Sequence, residues 1–170
     1  MRIAVTGPES TGKTSLALLL SQRLEAVYIP EFARNYLMER EGIYEESDLV
    51  HIASGQLNLW LTHEKAPVLI SDTEMIVMKI WSEFKYGNVG PFILEALSSQ
   101  QFDHYFLCYP DIPWEEDPLR EHPEQRMELY DLYLKELQDR NLPFTIVKGD
   151  LNQRLTTCLQ TLKLPITHYE

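Results

Sequence analysis

Lys13 and Thr14 close the run Gly7-Pro8-Glu9-Ser10-Thr11-Gly12. Two glycines flanking four residues, followed by Lys and then Ser or Thr, is the spacing of a phosphate loop. In such a loop the backbone N–H groups wrap a phosphate. The lysine ammonium reaches the β- and γ-phosphates of a nucleoside triphosphate, and the hydroxyl meets a magnesium ion. Gly7, Glu9, Ser10, Thr11, Gly12, Lys13 and Thr14 are therefore the expected nucleotide-binding residues, with ATP and Mg2+ as cofactors. A strand must feed this loop and a helix must leave it. Arg2 to Thr6 (RIAVT) is β-rich, and Ser15 to Leu24 is apolar at 16, 19, 20 and 24, a helical stripe.

Two acids are placed to work beside the loop. Ala26 to Pro30 (AVYIP) reads as a second strand and Pro67 to Ser71 (PVLIS) as a buried parallel one, so Glu31 and Asp72 each follow a strand end. In parallel sheets, ligands bind beyond the carboxyl ends of the strands. Glu31 is expected next to the γ-phosphate, where a kinase for small alcohols needs an acid to orient the hydroxyl and take its proton. The alternative is a solvated carboxylate opening a helix. Asp72 is expected to hold magnesium through water. It is also a candidate N-cap for a helix from Thr73 to Lys85. Which acid is the base is open at this point. Arg34, one turn past Glu31, either pairs with it or touches the substrate.

The remaining elements frame these groups. Phe32 to Glu41 is a helix stopped by Gly42, and Asp48 is the candidate N-cap of a long helix to about Lys65. Gln56 falls on the apolar face of that helix with Leu49, Ile52, Ala53 and Trp60, either as a satisfied structural amide or as a hydrogen-bonding group for a substrate base. Pro91 to Gln101 is another helix and Asp103 to Tyr109 (DHYFLCY) a strand. From Pro110 the chain carries four prolines and a charge cluster, which marks a loop or lid over about 110–126. Arg120 and Arg126 flank this stretch and either stabilise a transferred phosphoryl group or belong to a solvated salt-bridge cluster. Trp114 either covers an aromatic substrate or anchors the lid. Glu124 to Arg140 is a helix with apolar positions at 127, 130, 134 and 137, Phe144 to Val147 a strand, and Leu151 to Leu162 a helix with a stripe at 151, 155, 159 and 162. The alternation of strands and helices predicts an α/β, three-layer phosphate-loop kinase-type fold. Its five-stranded sheet is mostly parallel, with helices on both faces and a lid.

Composition bounds the partners. The 170 residues suit one domain, and a net charge of −11 argues against a nucleic-acid scaffold while leaving a nucleotide admissible. Cys108 and Cys158 lack metal or redox spacing and read as core thiols, and the five histidines show no ligand spacing. No run approaches membrane-spanning length and no apolar leader precedes the first strand, so the expected location is the cytoplasm.

Gly7 to Thr14 (GPESTGKT), Pro30 to Arg34 (PEFAR), Ser54-Gly55-Gln56, Ser71 to Glu74 (SDTE) and Trp114 to Arg120 (WEEDPLR), in this order, resemble the kinase domain of NadR-type proteins. These are ribosylnicotinamide (nicotinamide riboside) kinases with a deoxynucleoside-kinase-like phosphate-loop fold. The resemblance implies ATP-dependent phosphorylation of the ribose 5′-hydroxyl of nicotinamide riboside, giving nicotinamide mononucleotide. It also implies roles for Lys13 and Thr14 at ATP and magnesium, for Glu31 and Asp72 as acids, and for Arg120 in the lid. The chain departs from the family in three respects. Met1 directly precedes the first strand, so the adenylyltransferase and DNA-binding domains of bifunctional members are expected to be absent. No His-x-Gly-His motif is present. Family aromatic residues correspond to Pro30 and to a position near Met75.

The alternative readings are another nucleoside or nucleotide kinase and a regulatory phosphate-loop NTPase. A negatively charged acceptor would call for basic residues, and residues 48–91 offer only Lys65, Lys79 and Lys85. The Asn-Lys-x-Asp signature of a guanine switch is missing.

Overall fold

The computed structural model describes residues 1–164. Side chains along each strand alternate between two cores, as period-two geometry requires. In β1 (Arg2–Thr6), Ile3 and Val5 enter one core and Ala4 the other. β1 is the central strand, flanked by β3 (Leu69–Asp72) and β4 (His104–Cys108), with β2 (Val27–Ile29) and β5 (Phe144–Val147) at the edges. Every pairing in the order β2-β3-β1-β4-β5 is parallel.

Parallel neighbours require crossovers, supplied by α1 (Lys13–Arg23), α2 (Phe32–Met38), α3 (Glu46–His63), α4 (Met75–Tyr86), α5 (Pro91–Ser99), α6 (Arg126–Asp139) and α7 (Leu151–Thr161). Helices α1 and α7 cover one face, where Leu16, Leu20, Cys158 and Leu159 pack on Ile3, Val5, Ile70 and Phe106. Helices α2 to α6 cover the other with a larger core that includes Leu37, Ile52, Ile76, Ile93 and Leu137. This is the three-layer, phosphate-loop kinase-type α/β fold, with a fully parallel sheet. Both cysteines are buried and unpaired, and burial raises the Cys108 thiol pKa to about 11.

Four local expectations need correction. Asp48 is not the N-cap of α3 but lies inside its first turn, where Oδ2 accepts from the Glu45 N–H at 2.9 Å. Helix α4 begins at Met75 rather than Thr73, because Thr73 takes φ +81° and Glu74 caps the helix by accepting from the Ile76 N–H at 2.6 Å. Asp72 therefore ends β3 and caps nothing. On α6 Met127 is exposed while Leu129 and Tyr133 are buried, and on α7 Leu151 is exposed while Arg154 is buried.

Candidate active site

The phosphate loop forms where β1 leaves the sheet. At Gly7 the backbone has φ +131°, and a Cβ would stand 2.9 Å from the Cys108 carbonyl oxygen of β4, so only glycine fits there. The Thr11 hydroxyl and Lys13 Nζ both donate to the Pro8 carbonyl, at 2.7 and 2.8 Å, which ties the loop across its own mouth. No side chain caps α1 at Gly12. Its first N–H groups and the positive end of its dipole are thus presented to the loop, the geometry that binds phosphate.

A residue that sequence reasoning missed holds this loop from behind. Arg154 of α7 is only 2% exposed. It donates to the carbonyls of Thr11 (2.7 Å), Gly149 (2.8 Å) and Tyr109 (2.9 Å), and it pairs with Asp111 at 2.5 Å. One guanidinium therefore fastens the phosphate loop to the segments that follow β4 and β5. A lone arginine on a helix carries no signal of burial; only the apolar neighbours Cys158 and Leu159 hint at which face it shares.

The two acids occupy different depths. Glu31, directly after β2 and Pro30, lines a cavity of about 350 Å³ together with the phosphate loop. Its side chain makes no cap bond to α2. Burial raises its pKa above the ordinary carboxylate value, opposed chiefly by the charge of Lys13. Asp72 is 1% exposed and does not line the cavity. Its Oδ2 accepts from the Tyr28 hydroxyl at 3.2 Å, and its Oδ1 is buried with no hydrogen-bond partner inside normal limits. Burial raises its pKa too, with the Thr14 hydroxyl and Lys13 acting in the opposite direction. A buried, under-satisfied carboxylate oxygen behind the Thr14 hydroxyl suits a hard cation that takes its other ligands from phosphate and water. Among the described residues no group of three or more His, Cys, Asp and Glu side chains is arranged to hold a metal by itself.

Residues 109–125 carry no helix or strand and lie against the phosphate loop. Ser10 Oγ accepts from the Glu115 N–H at 2.9 Å and from Arg120 at 3.3 Å. Arg120 also donates to the Glu115 carbonyl. Arg126 donates to the carbonyls of Ser10 (3.1 Å) and Ile112 (3.0 Å). Arg120 lines the cavity and Arg126 does not. Glu9, expected at the nucleotide, lines the cavity with the rest of the loop, and its Oε2 accepts from the lid N–H groups of Glu121 (3.0 Å) and His122 (3.2 Å). Arg34 does not pair with Glu31. It lines the cavity but pairs with Asp117 of the lid at 2.7 Å, and this bond lowers the Asp117 pKa.

Away from the loop, the cavity wall is aromatic. Tyr44 from the α2–α3 connection, Trp81 and Phe84 from α4, Tyr133 from α6 and His122 from the lid line it. Tyr44 and Trp81 meet edge-to-face with centroids 5.1 Å apart, and Trp81 Nε1 donates to the Tyr44 hydroxyl at 2.9 Å. Lys85 Nζ sits 3.9 Å from the centroid of the Tyr44 ring and pairs with Glu121 at 2.8 Å. Burial, followed by the charges of Glu74, Glu31 and Glu9, holds the Tyr133 phenol well above its usual pKa.

A family profile with the description AAA domain matches residues 2–154. The chain belongs to this family. No curated protein sequence matches it. Among solved structures, it is similar to NadR protein in complex with NR, with a TM-score of 0.82 and 19% identity over 99% of this chain and 51% of that one. A thymidylate kinase from Ehrlichia chaffeensis superposes with a TM-score of 0.74 at 15% identity, over 95% of this chain and 98% of that one. Deoxyadenosine kinase from M. mycoides gives 0.71 at 15% identity, over 96% and 99%. The chain spans about half the length of the NadR structure. At such identities the likeness is one of fold, and the fold is the nucleoside-kinase-like one that the sequence motifs implied.

Within this AAA-domain frame, two substrate-side expectations fail. Gln56 is 3% exposed and lies outside the cavity lining. Its Oε1 accepts from the Phe32 N–H at 2.7 Å and its Nε2 donates to the Pro30 carbonyl at 3.2 Å, so it secures the start of α2 instead of a substrate. The neighbouring Gly55 serves the same junction, since a Cβ there would fall 2.4 Å from the Phe32 ring. Trp114 likewise does not line the cavity. The guanidinium carbons of Arg126 and Arg120 lie 5.8 and 5.9 Å from its ring centroid, so the ring anchors the lid between the two arginines.

Proposed function

We propose that this chain is an ATP- and Mg2+-dependent kinase that phosphorylates the ribose 5′-hydroxyl of nicotinamide riboside. The observation that carries the reading is the lining of one cavity, which Lys13 and Glu31 share with the rings of Tyr44, Trp81, Phe84 and Tyr133. A nucleoside laid between them presents its hydroxyl to Glu31 and its base to the rings. The similarity in fold to a NadR structure in complex with NR supports the reading.

In the reaction, Lys13 offsets charge on the phosphates and the N–H groups of residues 10–13 hold them in place. Glu31 orients the acceptor hydroxyl and accepts its proton as the new O–P bond forms and the bond to the leaving diphosphate breaks. Its raised pKa makes it a better base near neutral pH than an exposed carboxylate. Thr14 and Asp72 would hold the magnesium ion, which supplies charge stabilisation on the transferred phosphoryl group. Tyr28 keeps Asp72 in position through its hydroxyl.

For the acceptor, the family aromatic position near Met75 loses its bearing because Met75 is fully buried in the core. The rings come from Tyr44, Trp81 and Phe84 instead. A pyridinium over an aromatic face gains about 0.5–2 kcal/mol over a neutral base. One face of Tyr44 is taken by Lys85, and Trp81 and Phe84 line the same cavity. Arg34 and Lys85 are each matched by a carboxylate, Asp117 and Glu121, an arrangement that disfavours an acceptor already carrying a phosphate. Steady-state kinetics on nicotinamide riboside, uridine and cytidine with ATP and Mg2+ test the reading. The expected preference for nicotinamide riboside is at least about tenfold in kcat/KM. Equal or better use of the pyrimidine nucleosides would leave a nucleoside kinase of other specificity. Phosphate release that ignores every nucleoside would leave the regulatory NTPase.

A further inference from the structure

Glu9 has no place in the chemistry just described, yet it occupies the middle of the phosphate loop. Its carboxylate oxygen accepts two consecutive backbone N–H groups of the lid, Glu121 at 3.0 Å and His122 at 3.2 Å. The same two lid residues reach the aromatic wall. The Glu121 carboxylate accepts from the Tyr44 hydroxyl at 2.9 Å and from Lys85 at 2.8 Å. The His122 ring meets Phe84 edge-to-face with centroids 5.1 Å apart. Tyr44 in turn accepts from Trp81 at 2.9 Å. A continuous path of polar and ring contacts therefore runs from the donor loop through two lid residues to the acceptor wall.

From this path we infer that Glu9 is a positioning residue that couples the phosphate loop to the acceptor wall, so that a nucleotide in the loop orders the lid and the wall before the acceptor arrives. The inference rests on the nucleotide-binding part of the proposed function and goes beyond it. When the loop N–H groups close on phosphate, the backbone on either side of Glu9 loses freedom. Its carboxylate is then a fixed acceptor for the two lid amides. The lid has no helix or strand, so its conformational freedom is set by a few hydrogen bonds within it, such as Leu119 N–H to Asp117, and by such contacts from the loop. A lid already ordered by one ligand costs the second ligand less to order, which is positive coupling between the two halves of the site. Ser10, which accepts from Glu115 and Arg120, holds the other end of the lid to the same loop.

The test is hydrogen exchange on the full chain, with and without AMP-PNP and Mg2+, for wild type, Glu9→Ala and Glu9→Gln. In wild type the nucleotide should slow exchange by at least about fivefold in segments 115–125, 42–46 and 81–86, the lower end of ordinary coupling. In Glu9→Ala the slowing in these segments should fall below about twofold while the phosphate loop and α1 remain protected by nucleotide. Glu9→Gln should keep most of the effect, because its amide oxygen can accept both N–H groups. A residue with a merely structural role would raise exchange with and without nucleotide alike. Equal nucleotide-dependent slowing in Glu9→Ala and wild type would overturn the inference. If AMP-PNP protects nothing in wild type, nucleotide binding itself fails. The coupling then falls with it, whereas nucleotide protection of the phosphate loop and α1 in wild type without slowing in the three segments overturns the coupling alone.

Discussion

Two parts of the cavity lining, the donor and acceptor ends of the proposed reaction, are built by opposite means. The donor end is backbone: six residues between β1 and α1, shaped by Gly7, tied internally through the Pro8 carbonyl and offered to phosphate by N–H groups. The acceptor end is side chains gathered from the α2–α3 connection, α4, α6 and the lid. A backbone site is stated by a short run of sequence and tolerates little variation in form. A side-chain wall is dispersed along the chain, and its chemistry can change one residue at a time. On the proposed reading, the contrast would let one fold keep a reaction while the acceptor changes.

Substitutions can break this comparison or sharpen it. Lys13→Ala should have the largest effect, a loss of about 10³-fold in kcat/KM with every acceptor, since it removes charge stabilisation common to all of them. Near-normal turnover with any one acceptor would mean that the donor end is not universal. The fold should persist, because Lys13 Nζ bonds the Pro8 carbonyl and the side chain belongs to neither core; a thermal melt checks this.

Glu74 probes the junction between the ends, since it follows Asp72 by two residues and caps the helix that carries Trp81 and Phe84. It is 1% exposed, and burial raises its pKa to about 7 against 4.5 for an ordinary glutamate, with the Ile76 N–H and the Thr6 hydroxyl pulling it down. The folded state thus holds a proton that the unfolded chain releases. The stability linked to that proton is fully present below pH 4.5 and is lost as pH rises through 7, a change of about 3 kcal/mol. Urea denaturation at pH 5, 6, 7 and 8 should show this slope in wild type and not in Glu74→Gln, which should be the more stable of the two at pH 8. Parallel pH curves would mean that Glu74 titrates normally.

Glu31→Gln should lower kcat by about 10²-fold by removing the proton acceptor, with ATP affinity nearly unchanged. The wild-type acid limb of the pH–rate profile should lie above the ordinary carboxylate range and disappear in the variant. Asp72→Asn should instead raise the Mg2+ concentration needed for half-maximal rate. If Asp72→Asn is dead at saturating Mg2+ while Glu31→Gln is active, the two acids exchange roles. The smallest change is expected for Trp81→Ala, an increase of about tenfold in the acceptor KM with the ATP KM held. An equal rise in both would show that the ends are not separable.

The same contrast decides what could be read from the sequence. The loop, Glu31 and Asp72 were legible because each is local to a strand end, and strands declare themselves by apolar runs. The acceptor wall was not. Trp81 and Phe84 lie on a helix that is largely apolar, and its period could not separate Ile76 and Met78, which are in the core, from the rings that face the cavity. Tyr44 sits in a connection without periodicity. Gln56 was placed correctly on a buried face, but periodicity cannot say whether a buried amide meets a ligand or the backbone. Glu74 and Arg154 were passed over because a charged side chain among apolar neighbours is usually solvated; here each is held by hydrogen bonds that come from distant segments.

The Gly7 backbone lies against Cys108 of β4, and the Thr11 carbonyl is held by Arg154, so the loop made first during synthesis is completed last. The central strand β1 finds its partners at Leu69–Asp72 and His104–Cys108, pairings that no nascent chain can make until those residues have been added. At ordinary elongation rates the interval between making Gly12 and making Arg154 is on the order of ten seconds. During that time the chain carries a glycine-rich signature without a site. A chain stopped before α7 would have the signature complete and the guanidinium that braces it missing, and its nucleotide affinity should be reduced accordingly.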